Sequence, residues 1–459
     1  MKRLVALMVA LSPLAVDARE LPPAPGPPHE FSLPAKETVQ YPNGLTVTFV
    51  DYGTVPMVTV LAVVRTGNID EGRSTWLADV AVEMLKEGTT TRTAADIARA
   101  AADMGGSLSV GAGAEQTSVS ISVLSDHAVA AAELVADVLR HPRFPESELP
   151  RVLANLERSL AVARSEPDSI AGEALARLVY GDHPFGRVLP APGQLSGYGI
   201  GAVRDFYAGN FGARRTHVYV AGRYDRALLE GALRRALGDW PAGSAATVLP
   251  PVASQALKLQ LIDRPGAPQS SVRMAVEVPH PAHALYFPTT LTNSLLGGAF
   301  GSRITTNLRE DKGYSYSPES SISARRGGAL WIMQAEITAE HTAAAIAEIY
   351  REIERLQREP PAAPELEAIK SYRAGLFVIG NSSPNGVLGQ LAFMDLHGLP
   401  DEFLAHWVAN IHAVTPGQIS DMARRFIRPE HMTVVVVGDL QKIGDSVRAL
   451  PQLRGAGTP

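Results

Sequence analysis

The sequence predicts an α+β protein made of two homologous halves, each a mostly antiparallel sheet covered by helices. Three landmarks recur in the same order at a spacing of about 212 to 217 residues, which indicates an internal duplication. The matching pairs are Asp51 and Asp263, Pro167 and Pro384, and Gly222 and Gly438. Within each half, two β-rich runs, a helix, a strand of period 2, further helices and a final β-branched strand follow one another. Because this order lacks strict βαβ alternation, it favours antiparallel sheets.

Composition excludes several classes of protein. Hydrophobic residues make up 46% and charged residues 19% of 459 residues, which is typical of a globular chain with large cores. The sequence contains no cysteine, so disulfides, thiolate zinc sites and iron–sulfur clusters are excluded. The formal charge of -5 is spread along the chain without a basic stripe. We therefore expect no nucleic-acid partner.

The N-terminus has the layout of a secretory signal peptide. Lys2 and Arg3 precede an apolar run from Leu4 to Val16, and cleavage is expected after Ala18. The run is shorter than the roughly 20 residues that a membrane-spanning helix needs. The predicted divisions are a signal peptide at 1–18, a Pro-rich tether at 19–37, an N-terminal domain at 38–240, a linker at 241–255 and a C-terminal domain at 256–459. We expect an exported protein without a membrane span, periplasmic if its source is a Gram-negative bacterium.

The segment "STWLADVAVEMLKEGT", residues 74–89, predicts a helix with one apolar face. That face carries Leu77, Val80, Ala81, Met84 and Leu85. Asp79 and Glu83 lie one turn apart on another face, where like charges cost a few tenths of a kcal/mol. Pairing of Glu83 with Lys86 would offset this cost. A solvated face without any metal is therefore one interpretation of the two acids.

The same helix resembles the zinc helix of the pitrilysin or insulinase-type metallopeptidases, family M16. Members commonly show "GLAHLLEHMLFKGT", in which two histidines bind zinc and a glutamate activates water. In register, the histidine positions are Asp79 and Glu83, the base is Val82, and the third ligand falls on Asn155. Since Val82 cannot act as a base, the resemblance implies no zinc in this chain. A hard cation held by Asp79, Glu83 and Asn155 is an alternative that the residue types leave open.

A second stretch, "GGSLSVGAGAEQTSVSISV" from Gly105, is similar to the family's edge strand, which takes up substrate by β-augmentation. The resemblance implies that the backbone of Ser107, Leu108, Ser109 and Val110 binds peptide here. Pairing to an edge needs no particular side chain. An ordinary edge blunted by Gly and Ser explains the same pattern.

The second half contains "LLGGAFGSRITTNLREDKGYSYSPESS", residues 295–321, which closely resembles the family's second-half motif. By position, Arg309 and Tyr316 are the pair that holds the substrate carbonyl in active relatives. A guanidinium and a phenol O–H are suitable donors for an oxygen that gains negative charge. In the alternative, Arg309 caps a helix or pairs with Glu310 or Asp311, and Tyr316 packs in the core.

Family members of this size often work as pairs, in which one subunit keeps the zinc helix and the other keeps the arginine and tyrosine. The resemblance implies a non-zinc subunit of an exported metalloendopeptidase, inactive alone, that acts on peptides with a partner bearing H-x-x-E-H, as a heterodimer or heterotetramer. The chain itself would bind no cofactor, and zinc would lie in the partner. The alternatives are an inactive structural or peptide-binding protein, as a scaffold or homodimer, and an autonomous enzyme with a non-zinc metal.

Overall fold

The computed structural model describes residues 34–457. The predicted signal peptide and residues 19–33 of the predicted tether lie outside this range. The first strand begins at Lys36, so the end of the segment expected to be tether is part of the first sheet. Within residues 34–457, no helix has the length and apolar character that crossing a membrane requires.

The first sheet has six strands in the spatial order β1-β2-β6-β3-β5-β4. The strands are β1 Lys36–Gln40, β2 Thr46–Asp51, β3 Met57–Val64, β4 Ser109–Ala112, β5 Thr117–Leu124 and β6 Thr216–Gly222. In β5 every second side chain is buried, as the period-2 pattern predicts. All neighbours are antiparallel except β2 and β6, which are parallel.

The second sheet has five strands and repeats the topology of the first, in the order β7-β11-β8-β10-β9. The strands are β7 Lys258–Asp263, β8 Gln269–Glu277, β9 Glu319–Arg325, β10 Gly328–Thr338 and β11 Thr433–Gly438. In this sheet β7 and β11 are parallel to each other, and the other neighbouring strands are antiparallel. Asp51 lies opposite Gly222 in one sheet and Asp263 lies opposite Gly438 in the other. The landmarks of the sequence repeat therefore occupy equivalent positions, and the predicted fold class is confirmed.

Helices cover both faces of each sheet. Those of the first half are α1 Leu77–Leu85, α2 Ala94–Asp103, α3 Ala128–Arg140, α4 Leu149–Ser165, α5 Pro167–Tyr180, α6 Ile200–Asn210 and α7 Arg226–Leu237. Those of the second half are α8 Tyr286–Leu296, α9 Arg303–Thr305, α10 Thr342–Arg358, α11 Ala363–Gly380, α12 Pro384–His397, α13 Glu402–Ala405, α14 Trp407–Ala413, α15 Pro416–Phe426 and α16 Leu440–Arg448. A π-helix, Thr306–Asp311, continues α9.

The two halves exchange one helix each. Helix α5 of the first half packs Leu175 and Val179 against Ala275 and Val435 of the second sheet. Helix α12 of the second half packs against the first sheet in the same way, through Val387, Leu388, Leu391 and Ala392. The two prolines of the sequence repeat each begin one of these helices, where a missing N–H costs nothing. The halves are thus continuous in sequence but interleaved in space.

Candidate functional site

Helix α1 is buried on almost all sides, and its start is held by a carboxylate. Seven of its nine residues are buried, so it serves the core of the first half. Glu71 accepts hydrogen bonds from the backbone N–H groups of Trp76 at 3.0 Å and Ala78 at 3.1 Å. Trp76 takes the left-handed conformation, with φ 67°, that this connection requires. Burial raises the pKa of Glu71 to about 7 against these hydrogen bonds, which lower it.

The three side chains at the zinc-ligand positions are each bound to a local neighbour. Asp79 accepts a hydrogen bond from Asn68 Nδ2 at 2.8 Å, and burial raises its pKa. Glu83 pairs with Lys86 at 2.6 Å, as the solvated-face interpretation predicts. Asn155 is exposed on α4 and accepts a hydrogen bond from Arg158. Each of the three side chains therefore already has a partner in the structure.

The position of the catalytic base belongs to the core. Val82 is 1% exposed and lies in the main apolar cluster of the first half. Among residues 34–457, no group of three or more His, Cys, Asp or Glu side chains could hold a metal ion. Helix α1 therefore keeps the packing role of an apolar helix, without the ligands and base that zinc hydrolysis requires.

The expected edge strand is present, two residues later than predicted. Within residues 34–457, strand β4 pairs with β5 alone and lies at the border of the first sheet. Ser109 and Val110 are part of it, whereas Ser107 and Leu108 precede its first residue. The double glycine at 105–106 begins with a left-handed turn, φ 77° at Gly105, so the strand starts only at Ser109. Peptide pairing at this edge remains a prediction.

Arg309 and Tyr316 line the same cavity, of about 400 Å³. Arg309 lies in the π-helix, a rare element often found at functional sites. The chain then turns at Gly313, which has φ 64°, and Tyr314 N donates to Leu308 O at 2.8 Å. Leu308 is fully buried, so this hydrogen bond ties the turn that leads to Tyr316 to the core.

The two side chains differ in how firmly they are held. The Arg309 guanidinium lies 3.8 Å from the centre of the Phe300 ring, and its Nε donates to Glu310 at 2.8 Å. Tyr316 is 86% exposed, and its hydroxyl has no hydrogen-bond partner among the residues that the structure describes. The alternative interpretation was thus right about the Arg309–Glu310 pair and wrong about a tyrosine in the core. The remaining guanidinium nitrogens and the phenol can donate to an oxygen placed in this cavity.

Sequence reasoning missed three contributors to these sites. Asn68 and Glu71 lie in the loop before α1 and hold the start of that helix by hydrogen bonds. The available sequence signal was the presence of acidic residues shortly before the helix. Phe300 lies in the Gly-rich loop and packs against the Arg309 guanidinium. The available sequence signal was a single aromatic residue among glycines. Phe300 is 77% exposed and lines the same cavity as Arg309 and Tyr316.

Two family models match this chain. Residues 48–193 match the model described as insulinase (peptidase family M16), and residues 200–372 match the model described as peptidase M16 inactive domain. Among curated proteins, the uncharacterized zinc protease YmxG of Bacillus subtilis (strain 168) is 22% identical over 396 residues, covering 86% of this chain and 96% of that protein. An uncharacterized zinc protease of Mycobacterium tuberculosis (strain ATCC 25618 / H37Rv) is 24% identical over 435 residues, covering 94% of this chain and 98% of that protein.

Solved structures share the fold. A peptidase M16 inactive domain from Pseudomonas fluorescens superposes with a TM-score of 0.81 at 22% identity, covering 88% of this chain and 98% of that one. A protease from Helicobacter pylori superposes with a TM-score of 0.82 at 15% identity, covering 89% of this chain and 100% of that one. Both halves of the family are thus matched in order along the chain, while the positions of the zinc ligands and base carry other residues. The chain belongs to peptidase family M16, as a member without the zinc motif.

Proposed function

We propose that this chain is the non-zinc subunit of a two-subunit M16 metalloendopeptidase. In this proposal a partner with H-x-x-E-H supplies zinc and the base, and this chain supplies Arg309, Tyr316 and part of the wall of the peptide chamber. We also propose that the protein is exported, as its N-terminal sequence predicts. The assembly would be a heterodimer or a heterotetramer.

One observation carries the proposal: Arg309 and Tyr316 lie on one open cavity while helix α1 has lost its metal chemistry. A phenol that is 86% exposed contributes little to the folding of this chain, so its retention favours a role toward another molecule. In the chamber, the two donors would stabilise the oxygen of the scissile carbonyl as negative charge develops. One such donor typically contributes about 100- to 1,000-fold to kcat.

The test is to mix the purified chain with an M16 subunit that carries H-x-x-E-H and to measure cleavage of an unfolded peptide. Neither chain alone should cleave, and the mixture should. Tyr316→Phe removes only the hydroxyl, and Arg309→Ala removes the guanidinium, so each should lower kcat about 100-fold or more without preventing assembly. Arg448→Ala is the matched control, because Arg448 is an exposed arginine paired with the exposed Asp445 on α16. Full activity of the Tyr316→Phe and Arg309→Ala mixtures would contradict the assigned roles.

A second candidate function is peptide binding without cleavage, as a scaffold or homodimer. The free edge of β4 and the pairing of Arg309 with Glu310 favour it, because neither feature needs a metal. In that case the mixture with a zinc-bearing subunit would not form a complex or would cleave no faster than the zinc subunit alone. Size-exclusion chromatography of the mixture and the cleavage assay together separate the two functions.

A further inference from the structure

A second cavity, of about 390 Å³, lies between the two halves. Its floor is apolar, formed by Leu175 of the exchanged helix α5 and by Leu330 and Ile332 of strand β10. Trp76 and Phe185 add aromatic surface to the wall. Sites for small ligands and side chains commonly combine such an apolar surface with a few fixed polar groups.

The polar groups of this cavity are cationic. Arg187, Arg273 and Arg325 line it, and no Asp or Glu does. Arg273 is committed to Asp168 through two hydrogen bonds of 2.8 and 2.7 Å. Arg187 and Arg325 form no ion pair with any residue in the described range 34–457, and their hydrogen bonds go to the backbone oxygens of Asp182 and Ala324.

Arg325 has unused hydrogen-bonding capacity. Its Nε is buried and has no hydrogen-bond partner among the described residues. Its guanidinium carbon lies 5.2 Å from the centre of the Phe185 ring, so the group is held against an apolar surface. A buried donor without a partner costs about 1 to 3 kcal/mol. Among the described residues, the terminal nitrogens of Arg325 have one partner, the Ala324 carbonyl oxygen on Nη1, so Nη2 can donate to a ligand with an anionic acceptor.

The acids beside the cavity lining are bonded to other groups: Asp168 to Arg273, and Glu71 and Asp79 to Asn68. Burial lowers the pKa of His397 to about 4, with help from nearby cations. They include Arg65, Arg325 and Arg326. The nearby acid Glu115 is used by the backbone N–H of Arg326. An anion would therefore enter a region of positive potential.

The edges of both sheets lead to this cavity. Ala114, which follows edge strand β4, and Ser323 and Arg325 of edge strand β9 all line it. The opposite end of β9 borders a cavity of about 610 Å³ that has four acids in its lining. These acids are Glu166, Asp168, Glu319 and Glu336. Arg264 also lines that cavity and Asp168 is paired with Arg273, so three acids remain beside one arginine there. Negative charge therefore predominates near Glu319, the first residue of β9, and positive charge near Arg325, the last, at a distance of roughly 20 Å.

We propose that the arginine-lined cavity binds the C-terminal carboxylate of an extended peptide whose last side chain is apolar. The carboxylate bonds to Arg187 and Arg325, and the last side chain lies on Leu175 and Ile332. The amino end of the peptide then points toward the acidic end of β9. A peptide carries its charges in this order, which fixes its direction. The inference concerns binding alone and requires neither the partner subunit nor the roles of Arg309 and Tyr316.

The test is isothermal titration calorimetry on the full chain with one hexapeptide in two forms. The peptide alternates alanine and serine, ends in leucine, and carries either a free C-terminal carboxylate or an amide. The free acid should bind at least about tenfold tighter than the amide, since hydrogen bonds between charged groups are the stronger class. In Arg325→Gln and in Arg187→Gln this acid-to-amide ratio should fall below about threefold. Because the ratio is taken within one variant, it does not depend on the fraction of folded protein.

Arg326→Gln is the matched control, because it removes a neighbouring exposed charge that does not line the cavity. The Arg326→Gln variant should keep most of the acid-to-amide affinity ratio of the wild type. Equal affinity of the two peptides, absence of binding at millimolar free acid, or a ratio unchanged in both lining variants would each overturn the proposal. N-acetyl-leucine provides a further arm: if it binds as tightly as the free-acid hexapeptide, the occupant is a small carboxylate and the peptide assignment is wrong.

Discussion

Leu388 belongs to the second half in sequence, but Leu388→Ala should destabilise the sheet of the first half. Leu388 is fully buried on α12 and lies in a cluster with Val50, Val63 and Tyr219 of the first sheet. The substitution removes three buried carbon atoms, a transfer cost of about 2.4 kcal/mol at 0.8 kcal/mol each. The cavity left behind adds roughly 1 kcal/mol, because the cluster is small and can partly close. We therefore expect a loss of about 3 kcal/mol.

Native-state hydrogen exchange, measured by mass spectrometry, tests this value in the first sheet. A loss of about 3 kcal/mol corresponds to roughly hundredfold faster exchange of protected amides. Peptides that cover β6, Thr216–Gly222, should show it. The matched control is Leu356→Ala, because Leu356 is equally buried but lies in the core cluster of the second half. It should affect the second sheet first. Unchanged protection of β6 in Leu388→Ala would refute the reasoning that α12 holds the first sheet.

Three further predictions concern α1 and its surroundings. Burial raises the pKa of Glu71 to about 7, so the folded state keeps a proton that the unfolded state loses near pH 4.5. The free energy of unfolding should therefore fall by up to about 3 kcal/mol between pH 4.5 and 7. Urea titrations at several pH values should show this fall in the wild type and lack it in Glu71→Gln. Val82→Glu should cost about 3 kcal/mol or more at pH 8 and less at pH 5, where the buried carboxyl is protonated; equal stability at both pH values would place position 82 in solvent. Gly67→Ala should prevent folding or cost several kcal/mol, because a Cβ would overlap the Gly113 carbonyl oxygen, whereas Gly201→Ala, with open space around it, should melt at or above the wild-type temperature.

The fold could be predicted from the repeat, because the alternation of buried and exposed side chains is a local pattern that marks each strand in the sequence. Equivalent strands must start and stop at equivalent residues, so Asp263 and Gly438 could be placed once Asp51 and Gly222 were. The exchange of helices could not be predicted in this way. The apolar residues of α12 are not confined to one face, so its sequence indicates burial but not which sheet the helix covers.

The candidate site shows the same division between local and distant information. The Glu83–Lys86 pair could be predicted because three residues along a helix place side chains on adjacent turns. The environment of Arg309 depended on Phe300, nine residues away across a Gly-rich loop, and no short-range rule gives that contact. The cavity of Arg187 and Arg325 joins the two halves, so neither residue was distinguishable in sequence from any other surface arginine.

The exchange of helices also separates a surface from its cover along the chain. Strand β6 is complete at Gly222, but the helix that covers its outer face begins at Pro384, about 160 residues later. Contacts between distant segments form slowly, because a long loop must close before they can stabilise anything. Until the second half has closed on the first, the outer apolar surface of the first sheet, including Tyr219, lacks its cover. An isolated first half would therefore expose this surface and tend to aggregate.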